Sequence, residues 1–458
     1  MQLGPSNSVA VVGSGAAGLA AAWLLSRQCR VTLFEKDDRL GGHAHTATID
    51  ASGAKTSVES QTAALHIDTG FIVYNELNYP NLSAWFDYLG VETLPTDMSF
   101  AVSQEQGRYE YKGGDLAGLF AQPSNVLRPR FWRMLKDLLK FYKKASSDPL
   151  PAAEITLREY LRLGDYSQDF INDHLLPFGA AIWSSSQHNM LDYPAATFIR
   201  FCHNHGLLQV TDRPQWRTVR GGSQNYVNRV RQQLGENAVI TSAQVVAANR
   251  GSDGVKLEVR DGTQYHFDHV VLATHADQAL VLLEDADAEE NRLLSPFEYE
   301  QNLAILHTDE TLLPRRRKAW ASWNYMSTIQ GNLAGKPTVS YWMNNLQSLV
   351  SERNYIVSLN PEVSPDTATI LRSCVYEHPM FTAETLAAQQ QLWSLQGCRN
   401  TWFCGAYFGA GFHEDAIQSG LAVAEQLAGV KRPWKVKNES GRIVLDSEDY
   451  SAAETLVA

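Results

Sequence analysis

The sequence predicts an α/β fold in which separated segments build one Rossmann-like parallel sheet and an α+β domain is inserted between them. Three observations predict it: a glycine-rich turn between a short apolar strand and a helix near residue 13, apolar strand patterns that return near residues 270 and 402, and two long intervening stretches of different pattern. A chain of 458 residues exceeds the usual size of a single core, so two domains are expected.

The composition excludes several classes of protein. With 39 Lys plus Arg against 50 Asp plus Glu, the net charge of −11 argues against a nucleic-acid partner bound by an overall basic surface. Five scattered cysteines without a CxxC pair predict a reduced, cytoplasmic protein, and no spaced His, Cys or acid set predicts a metal site. No apolar run approaches the roughly 20 residues that span a bilayer, so at most peripheral membrane contact is expected.

The first segment carries a dinucleotide-binding motif. A strand at Val9–Val12 and a helix at Ala16–Leu25 flank the GxGxxG spacing of Gly13–Gly18. The first glycine permits the tight turn, Gly15 lets the backbone approach a pyrophosphate, and Gly18 lets helix and strand pack closely. The diphosphate would lie at the N-terminus of the helix, where free N–H groups favour an anion.

The next segment indicates which dinucleotide is bound. A strand at Arg30–Phe34 leads to Glu35, whose carboxylate can accept hydrogen bonds from both ribose hydroxyls and would repel a 2′-phosphate. Arg39 and the pair Gly41-Gly42 follow, and two-dinucleotide-binding-domain flavoproteins carry an Arg and a glycine pair at this position. The predicted cofactor is therefore FAD, held non-covalently. With one GxGxxG in the chain, a second, nicotinamide-binding Rossmann unit is not expected. A surface turn that uses glycine for positive φ is the alternative for this pair.

Later segments complete the predicted FAD-binding domain, at residues 8–100, 215–290 and 396–430. They hold a helix at 224–234, a strand at 269–274, a strand at 401–404 and a helix from 415 whose N–H groups would face the flavin pyrimidine. The residues expected to contact FAD are Gly13, Ser14, Gly15, Ala16, Ala17, Gly18, Glu35, Lys36, Arg39, Gly41, Gly42, His43, Val245, Ala273, Thr274, Gly405, Asp415 and Ala416.

The predicted substrate domain occupies residues 101–214 and 291–395. Its first part has a helical pattern, and its second part has strand patterns at 302–307, 338–343 and 355–359. A mixed sheet backed by helices would form one wall of an apolar cleft that faces the flavin. Residues 431–458 are polar and are predicted to form an appended tail.

Nine short motifs between residues 41 and 415 carry a resemblance to a known family. They are Gly41–Thr46, Asp68–Phe71, Tyr79–Asn81, Asp97–Val102, Ala181–Ser184, Asn204–Gln209, Arg213–Trp216, Trp402–Tyr407 and Gly411–Asp415. The layout resembles the flavin-containing amine oxidases, phytoene desaturases and protoporphyrinogen oxidases. It is most similar to the FAD oxidoreductases found beside bacterial cyclopropane-fatty-acid-synthase-type methyltransferases, a module that also forms the N-terminal half of the plant synthases.

The resemblance implies an FAD-dependent oxidoreductase that acts on an unsaturated or branched fatty-acyl chain, free or in a phospholipid. Hydride transfer to flavin N5 would lead to desaturation or double-bond isomerisation, and a neighbouring lipid methyltransferase is an implied partner. Two alternatives stay open: a flavin amine oxidase for a small amine, and an FAD-bearing partner of the methyltransferase. The sequence shows no Lys comparable to the one that many amine oxidases place near N5.

The candidate catalytic residues come from the glycine-pair segment and from the start of the last helix. His43, His413 and Glu414 are candidates for acid–base work, His because its unperturbed pKa is about 6.5. Tyr407 and Trp183 are candidates for the pocket wall. The alternative for residues 413–415 is helix capping, and the alternative for His43 is a structural contact to the cofactor.

A basic segment at residues 128–144 carries seven Lys or Arg residues against one acid, Asp137. Five apolar residues recur there at helical spacing, opposite four basic ones: Phe131, Leu135, Leu138, Leu139 and Tyr142, against Arg133, Lys136, Lys140 and Lys144. Such a helix could rest on an anionic membrane surface. The alternative is an ordinary surface helix with a solvated basic face.

Overall fold

The computed structural model describes residues 3–49, 64–152, 154–183, 187–209, 213–328 and 338–445. The strands are β1 (Ser8–Val12), β2 (Arg30–Phe34), β3 (Thr46–Ile49), β4 (Leu65–Asp68), β5 (Val73–Asn75), β6 (Thr93–Thr96), β7 (Phe100–Gln104), β8 (Tyr109–Lys112), β9 (Trp216–Val219), β10 (Val239–Ile240), β11 (Val245–Gly251), β12 (Gly254–Val259), β13 (Gln264–Phe267), β14 (His269–Leu272), β15 (Tyr299–His307), β16 (Trp323–Met326), β17 (Thr338–Trp342), β18 (Ile356–Leu359), β19 (Ile370–Pro379) and β20 (Thr401–Phe403).

The helices are α1 (Ala16–Leu25), α2 (Pro80–Leu89), α3 (Leu116–Leu119), α4 (Pro129–Ser147), α5 (Leu157–Leu163), α6 (Gln168–Phe170), α7 (Leu176–Trp183), α8 (Gln187–Asp192), α9 (Ala195–Asn204), α10 (Gln224–Leu234), α11 (Ala276–Leu282), α12 (Ala288–Leu294), α13 (Met343–Leu346), α14 (Ala383–Gln389) and α15 (His413–Ala428). Among the described residues, none of these helices has the length and apolar character needed to cross a membrane.

The parallel sheet is built from three separated parts of the chain. Its strand order is β10-β2-β1-β14-β20, and every neighbouring pair is parallel. Helices α1 and α15 pack closely beside it, because a Cβ on Gly420 would lie only 2.2 Å from the carbonyl oxygen of Ala17. The predicted α/β fold is confirmed, and strands from residues 8–34, 239–272 and 401–403 share one sheet.

A seven-stranded mixed sheet forms the second large layer, in the order β19-β15-β18-β17-β16-β7-β8. The three strands predicted in the second insert are present as β15, β17 and β18. Strands β7 and β8 were not predicted, and they bring residues 100–112 into this sheet beside β16. The helical pattern of the first part of the substrate domain, at residues 131–145, 156–163, 167–173 and 194–203, corresponds to α4, α5, α6 and α9. The residue limits of the two domains stay predictions.

Helix α4 packs differently from the predicted pattern at one position. Its buried face holds Phe131, Met134 and Phe141, with Asp137 also buried among them. Leu139, which was assigned to the apolar face, is 55% exposed. The helix therefore presents an apolar side chain on its basic, solvent-facing side.

The prediction of an appended polar tail needs correction, because residues 431–445 pack against the rest of the molecule. The ring of Trp434 stacks on Trp23 with centroids 5.6 Å apart. The guanidinium of Arg432 is buried and donates to Glu425 at 2.8 Å, and that of Arg442 donates to the buried Asp415 at 2.6 Å. Buried ion pairs, which the local composition does not reveal, hold this segment in place; residues 446–458 lie outside the described part of the chain.

We expect Arg442→Met to lower the free energy of unfolding by about 3 kcal/mol or more, because it leaves the Asp415 carboxylate buried without its cation. Urea unfolding followed by tryptophan fluorescence measures the change. Arg260→Met, at an exposed position, is the matched control. Equal effects of the two substitutions would show that the tail pairing contributes nothing specific.

Candidate cofactor and active site

The glycine turn after β1 is closed tightly against β14. Gly13 adopts a φ of +101°, and a Cβ there would lie 2.8 Å from the carbonyl oxygen of Ala273. A Cβ on Gly18 would lie 1.9 Å from the carbonyl oxygen of Gly13. Only glycine fits at these two positions, so the strand, turn and helix form the compact unit that the motif predicts.

Gly15 differs from these two glycines because its Cβ position faces open space. No atom lies within 4 Å of that position, and the φ of −63° is one that any residue adopts. Gly42, at φ +55°, approaches the same place: a Cβ on it would lie 3.1 Å from the Cα of Gly15. Two glycine segments therefore border one open space at the N-terminus of α1, which fits a diphosphate.

Glu35 lies at the end of β2 and is buried beside the turn. Its Oε2 accepts hydrogen bonds from Ser14 N at 2.9 Å and Ser14 Oγ at 2.5 Å, and its Oε1 accepts one from Asp37 N at 3.0 Å. A carboxylate has about four acceptor positions, so capacity is left for a ribose hydroxyl. The residues present fit the adenosine end of a dinucleotide.

The other predicted cofactor residues lie around the same edge of the sheet. Arg39 Nη1 donates to the carbonyl oxygen of Gly42 at 2.9 Å and so closes the second glycine turn. Thr274 follows β14, and a Cβ on Gly405 would lie 3.5 Å from its carbonyl oxygen. The remaining members are Gly41, which adopts positive φ, Lys36, which is exposed, Ala16, Ala17 and Ala416, which are buried in first helical turns, and Val245, which begins β11.

The side chain of Asp415 is held by protein groups, and its predicted contact with the cofactor stays a prediction. Its Oδ2 accepts a hydrogen bond from Phe412 N at 2.7 Å, and its Oδ1 accepts one from Arg442 Nε at 2.6 Å. This carboxylate caps its own helix and neutralises a buried arginine. The capping alternative describes Asp415.

Glu414 also has a structural role, against its assignment as an acid–base candidate. Its Oε1 accepts from the backbone and side-chain nitrogens of Asn81, at 3.0 and 2.8 Å, and its Oε2 accepts from Leu82 N at 3.0 Å. Both residues belong to the first turn of α2, where N–H groups lack partners within the helix. A carboxylate engaged on both oxygens in this way serves as a remote cap for α2.

His413 is held between aromatic residues at the start of α15. Its ring stacks on Phe71 with centroids 3.9 Å apart, and its Nε2 lies 2.8 Å from the hydroxyl of Tyr226. Burial lowers its pKa to about 3, so the imidazole is neutral at physiological pH.

His43 directly follows the glycine pair and has an unpartnered polar atom. Its Nε2 is buried and makes no hydrogen bond to any described residue. Its ring centroid lies 5.0 Å from that of Tyr376 and 5.5 Å from that of His378. Burial, reinforced by His378, lowers the pKa of His43 well below its usual value. This buried nitrogen lies beside the glycine pair and has no described partner, so a group bound there would satisfy its hydrogen bond.

Two residues of β19, Tyr376 and His378, complete this polar cluster and were missed. Asn302 Nδ2 donates to His378 Nδ1 at 3.2 Å, and burial lowers the pKa of His378 to about 4. The hydroxyl of Tyr376 lies 2.9 Å from His45 Nδ1 and 2.6 Å from Thr69 Oγ1. Their alternation along one strand face was the available signal, but the surrounding polar pattern of β19 hid it.

A third missed residue, His275, follows β14 at the edge of the parallel sheet. Its ring stacks on Tyr299 with centroids 4.1 Å apart, and its Nδ1 lies 3.4 Å from the carboxylate of Glu377. Burial is the main cause of the lowered pKa of His275. The sequence placed this residue only at a strand end, and its partners come from β15 and β19.

Of the two predicted wall residues, the structure describes the side chain of Tyr407 alone. Tyr407 is buried in the main core, with its ring centroid 5.3 Å from that of Phe297 and its hydroxyl without a described partner. Trp183 ends α7, and its side chain lies outside the described residues, as does Ser184. In the described ranges, no group of three His, Cys, Asp or Glu residues could hold a metal ion.

An apolar wall stands where the loop before α15 meets the helical layer. The ring of Phe412 stacks on Phe201 at 4.8 Å between centroids, and Phe201 stacks on His205 at 3.9 Å. Phe381 packs against the same cluster and against Gly411, where a Cβ would lie 3.1 Å from its ring. Phe201 is buried, and the partly buried rings of Phe381 and Phe412 offer apolar surface beside the start of α15.

These features together define a flavin-dependent oxidoreductase, with one dinucleotide site at the carboxyl edge of a parallel sheet and a mixed sheet beside it. A family model for flavin-containing amine oxidoreductases matches residues 16–329. The match spans more than half of the chain, and the protein belongs to this family. It is an FAD-dependent enzyme. Among curated proteins, no significant sequence match was found.

Solved structures share the fold at low sequence identity. A provisionally assigned protoporphyrinogen oxidase from Exiguobacterium sp. 255-15 is 16% identical, with a TM-score of 0.66 over 92% of this chain and 99% of that one. Cyclohexylamine oxidase from Brevibacterium oxydans IH-35A is 14% identical, with a TM-score of 0.65 over 93% and 99%. A CLA-producing fatty acid isomerase from P. acnes is 14% identical, with a TM-score of 0.61 over 92% and 98%.

When bound, FAD supplies hydride-transfer chemistry, and the chain supplies the site. Glu35 and Ser14 would hold the adenosine end, and the turn at Gly15 with Gly42 would hold the diphosphate. His43, whose Nε2 has no described partner, follows Gly42 directly.

We expect Gly15→Val to fold normally and to lose FAD, because the added Cβ has no neighbouring protein atom within 4 Å and the side chain would occupy the open space before α1. Flavin absorbance of the purified protein and its thermal midpoint without FAD measure the two effects. Gly4→Val is the matched control, since its Cβ position is also free of neighbours. A yellow Gly15→Val protein would contradict the diphosphate assignment.

A second prediction concerns acid stability. His205 is buried, and burial, reinforced by Arg442, lowers its pKa to about 3. Between pH 6.5 and about 3 the unfolded chain binds a proton at this side chain and the folded chain does not, so stability falls as the pH falls. The contribution is about 1.4 kcal/mol per pH unit.

We therefore expect His205→Phe, which keeps the ring stack with Phe201, to reduce the slope of unfolding free energy against pH by about that amount between pH 6 and 4. His205→Gln should show the same shallower slope, which separates titration from packing. Slopes equal to that of the unsubstituted protein would contradict the burial of a neutral imidazole. Urea unfolding at a series of pH values measures the slope.

Proposed function

We propose that this enzyme oxidises or isomerises an unsaturated or branched fatty-acyl chain, free or esterified in phospholipid. The observation that carries the proposal is the neutral, aromatic character of the candidate site. Its described histidines, His43, His378 and His413, all have pKa values lowered by burial, and none carries a charge near pH 7. Such a site suits an uncharged hydrocarbon better than a cation.

The carboxylates near the site already bind protein groups, which disfavours an ammonium group as the substrate. Glu414 caps α2, Asp415 pairs with Arg442, and Glu377 accepts from the side-chain amides of Gln278 and Gln301 at 3.5 and 3.3 Å. A cationic amine that enters an apolar site without an anionic partner loses its hydration without compensation. Oxidation of a cationic amine here would need an anionic partner for its ammonium group, and these carboxylates do not offer one.

The apolar wall supports an acyl substrate. Phe201, Phe381 and Phe412 come from three different parts of the chain and meet beside the start of α15. Burial of each methylene group of a substrate chain against such rings contributes about 0.8 kcal/mol. A chain of several methylenes would therefore bind without any charged contact.

Acid–base work can be assigned within the polar cluster. Because His378 Nδ1 accepts from Asn302, its neutral ring carries the proton on Nε2 and is a donor. His43 Nε2 has no described partner, so it can accept the proton that leaves the substrate carbon when a second hydrogen departs as hydride. Desaturation then removes one hydride and one proton, and an external acceptor such as oxygen takes the electrons. Isomerisation removes a hydride alone from an allylic carbon and returns it to another carbon of the same chain, so no proton and no electrons are lost.

Proteins that share the fold support an FAD-dependent oxidoreductase, and their substrates include both amines and fatty acids. The family name refers to amine oxidation, and one similar structure is a fatty acid isomerase. A neighbouring lipid methyltransferase of the cyclopropane-fatty-acid-synthase type is proposed as a partner on the sequence motifs alone. Co-purification of the two proteins tests this partnership.

The test of the function is anaerobic mixing of the FAD-loaded enzyme with lipid extracts and, separately, with a panel of amines. We expect the flavin absorbance to bleach with unsaturated acyl lipids and not with amines, and mass spectrometry to show a two-hydrogen loss or a moved double bond. His43→Gln should slow bleaching by about 100-fold or more, as loss of a general base does. His66→Gln, at an exposed position, is the control. Bleaching by amines alone would overturn the proposal.

A further inference from the structure

Helix α4 presents a mixed apolar and basic stripe to solvent. Trp132, Lys136, Leu139 and Lys143 recur at intervals of four, three and four residues, which places them on one helical face. Trp132 is 48% exposed and Leu139 is 55% exposed. A single exposed leucine needs no explanation, but apolar residues that recur on one face of a surface helix do.

The segment before the helix extends this surface. Leu127, which is 85% exposed, and Val126 precede α4 and are separated from it by Arg128. The indole nitrogen of Trp132 donates to the carbonyl oxygen of Val126 at 2.9 Å, so the two apolar groups lie together. We define the α4 surface as Val126, Leu127, Trp132, Lys136, Leu139 and Lys143.

The charge on this surface is positive and unpaired. In the described part of the chain, the ammonium groups of Lys136 and Lys143 make no hydrogen bond or ion pair, whereas Arg133 pairs with Asp169 at 2.5 Å. Asp137, the only acid between residues 128 and 144, is buried, and its Oδ2 accepts from Ser167 N at 2.8 Å. The lysines are therefore free to meet anionic groups, on a protein whose net charge is −11.

We infer that the α4 surface docks the enzyme onto an anionic lipid bilayer, with Leu127, Trp132 and Leu139 in the headgroup region and Lys136 and Lys143 against lipid phosphates. Apolar side chains and lysines on one face of a surface helix are the two elements of interfacial binding. A protein partner would need anionic groups to match the lysines, whereas an anionic bilayer supplies phosphates for the lysines and an apolar layer for the leucines and the tryptophan. This inference rests on the proposed lipid substrate for its purpose, but binding is measurable without turnover.

The test is co-sedimentation of the FAD-loaded protein with vesicles of phosphatidylcholine alone or mixed equally with phosphatidylglycerol. We expect binding to the mixed vesicles that weakens as salt is raised. Lys136→Gln/Lys143→Gln should weaken it about 25-fold, at about fivefold per cation. Leu127→Gln/Leu139→Gln should weaken it by about tenfold or more, because two buried apolar side chains are lost.

Matched controls change exposed residues of the same or similar types elsewhere. They are Lys256→Gln/Lys435→Gln for charge and Val281→Gln/Val350→Gln for apolar surface. Equal effects of α4-surface and control variants, or equal binding to both vesicle types, would overturn the inference. The inference would also be overturned if the protein did not bind vesicles and instead formed a stoichiometric complex with another protein that the α4-surface variants abolish.

Flavin bleaching by a short, detergent-dispersed acyl substrate separates the two proposals. The α4-surface variants should keep the rate of the unsubstituted enzyme with this substrate. An enzyme that binds anionic vesicles through α4 but is bleached by no acyl lipid would refute the proposed function and leave the docking surface standing.

Discussion

Close contact of backbone with backbone at the glycine turn is the constraint on which the rest of the structure depends. Gly13 and Gly18 leave no room for a side chain against Ala273 and against the turn itself, and Gly42 comes within reach of Gly15 from the other side. Three separated parts of the chain must therefore meet at one edge of the parallel sheet. The open space that remains before Gly15 is a consequence of that meeting.

Buried carboxylates near this edge hold elements together and leave the chemistry to histidines. Glu35 ties β2 to the glycine turn, Glu414 caps α2 from a distance of more than 300 residues, and Asp415 neutralises Arg442. The site that results contains neutral imidazoles, tyrosines and phenylalanines, with a free Nε2 on His43. An apolar substrate and a hydride-accepting cofactor suit such a site, because neither brings a charge that the protein would have to match.

The parts that the sequence predicted correctly are those set by local rules. The β1–α1–β2 unit, its glycine turn and the position of Glu35 at the end of β2 follow from short-range periodicity and from glycine's steric freedom. His378, Tyr376 and the packed tail could not be found in this way, because their partners lie in distant strands and helices and a polar strand such as β19 resembles a surface segment. Glu414 shows the same limit, since a remote helix cap looks like a catalytic acid until α2 is placed beside it.

The most direct test of the central claim is an experimental structure of the FAD-loaded protein. We predict that the diphosphate occupies the space before Gly15 and Gly42, that a ribose hydroxyl bonds to Glu35, and that His43 Nε2 gains a partner in the cofactor or a bound acyl chain. Cofactor density at another edge of the sheet, with the space before Gly15 filled by water alone, would contradict the account.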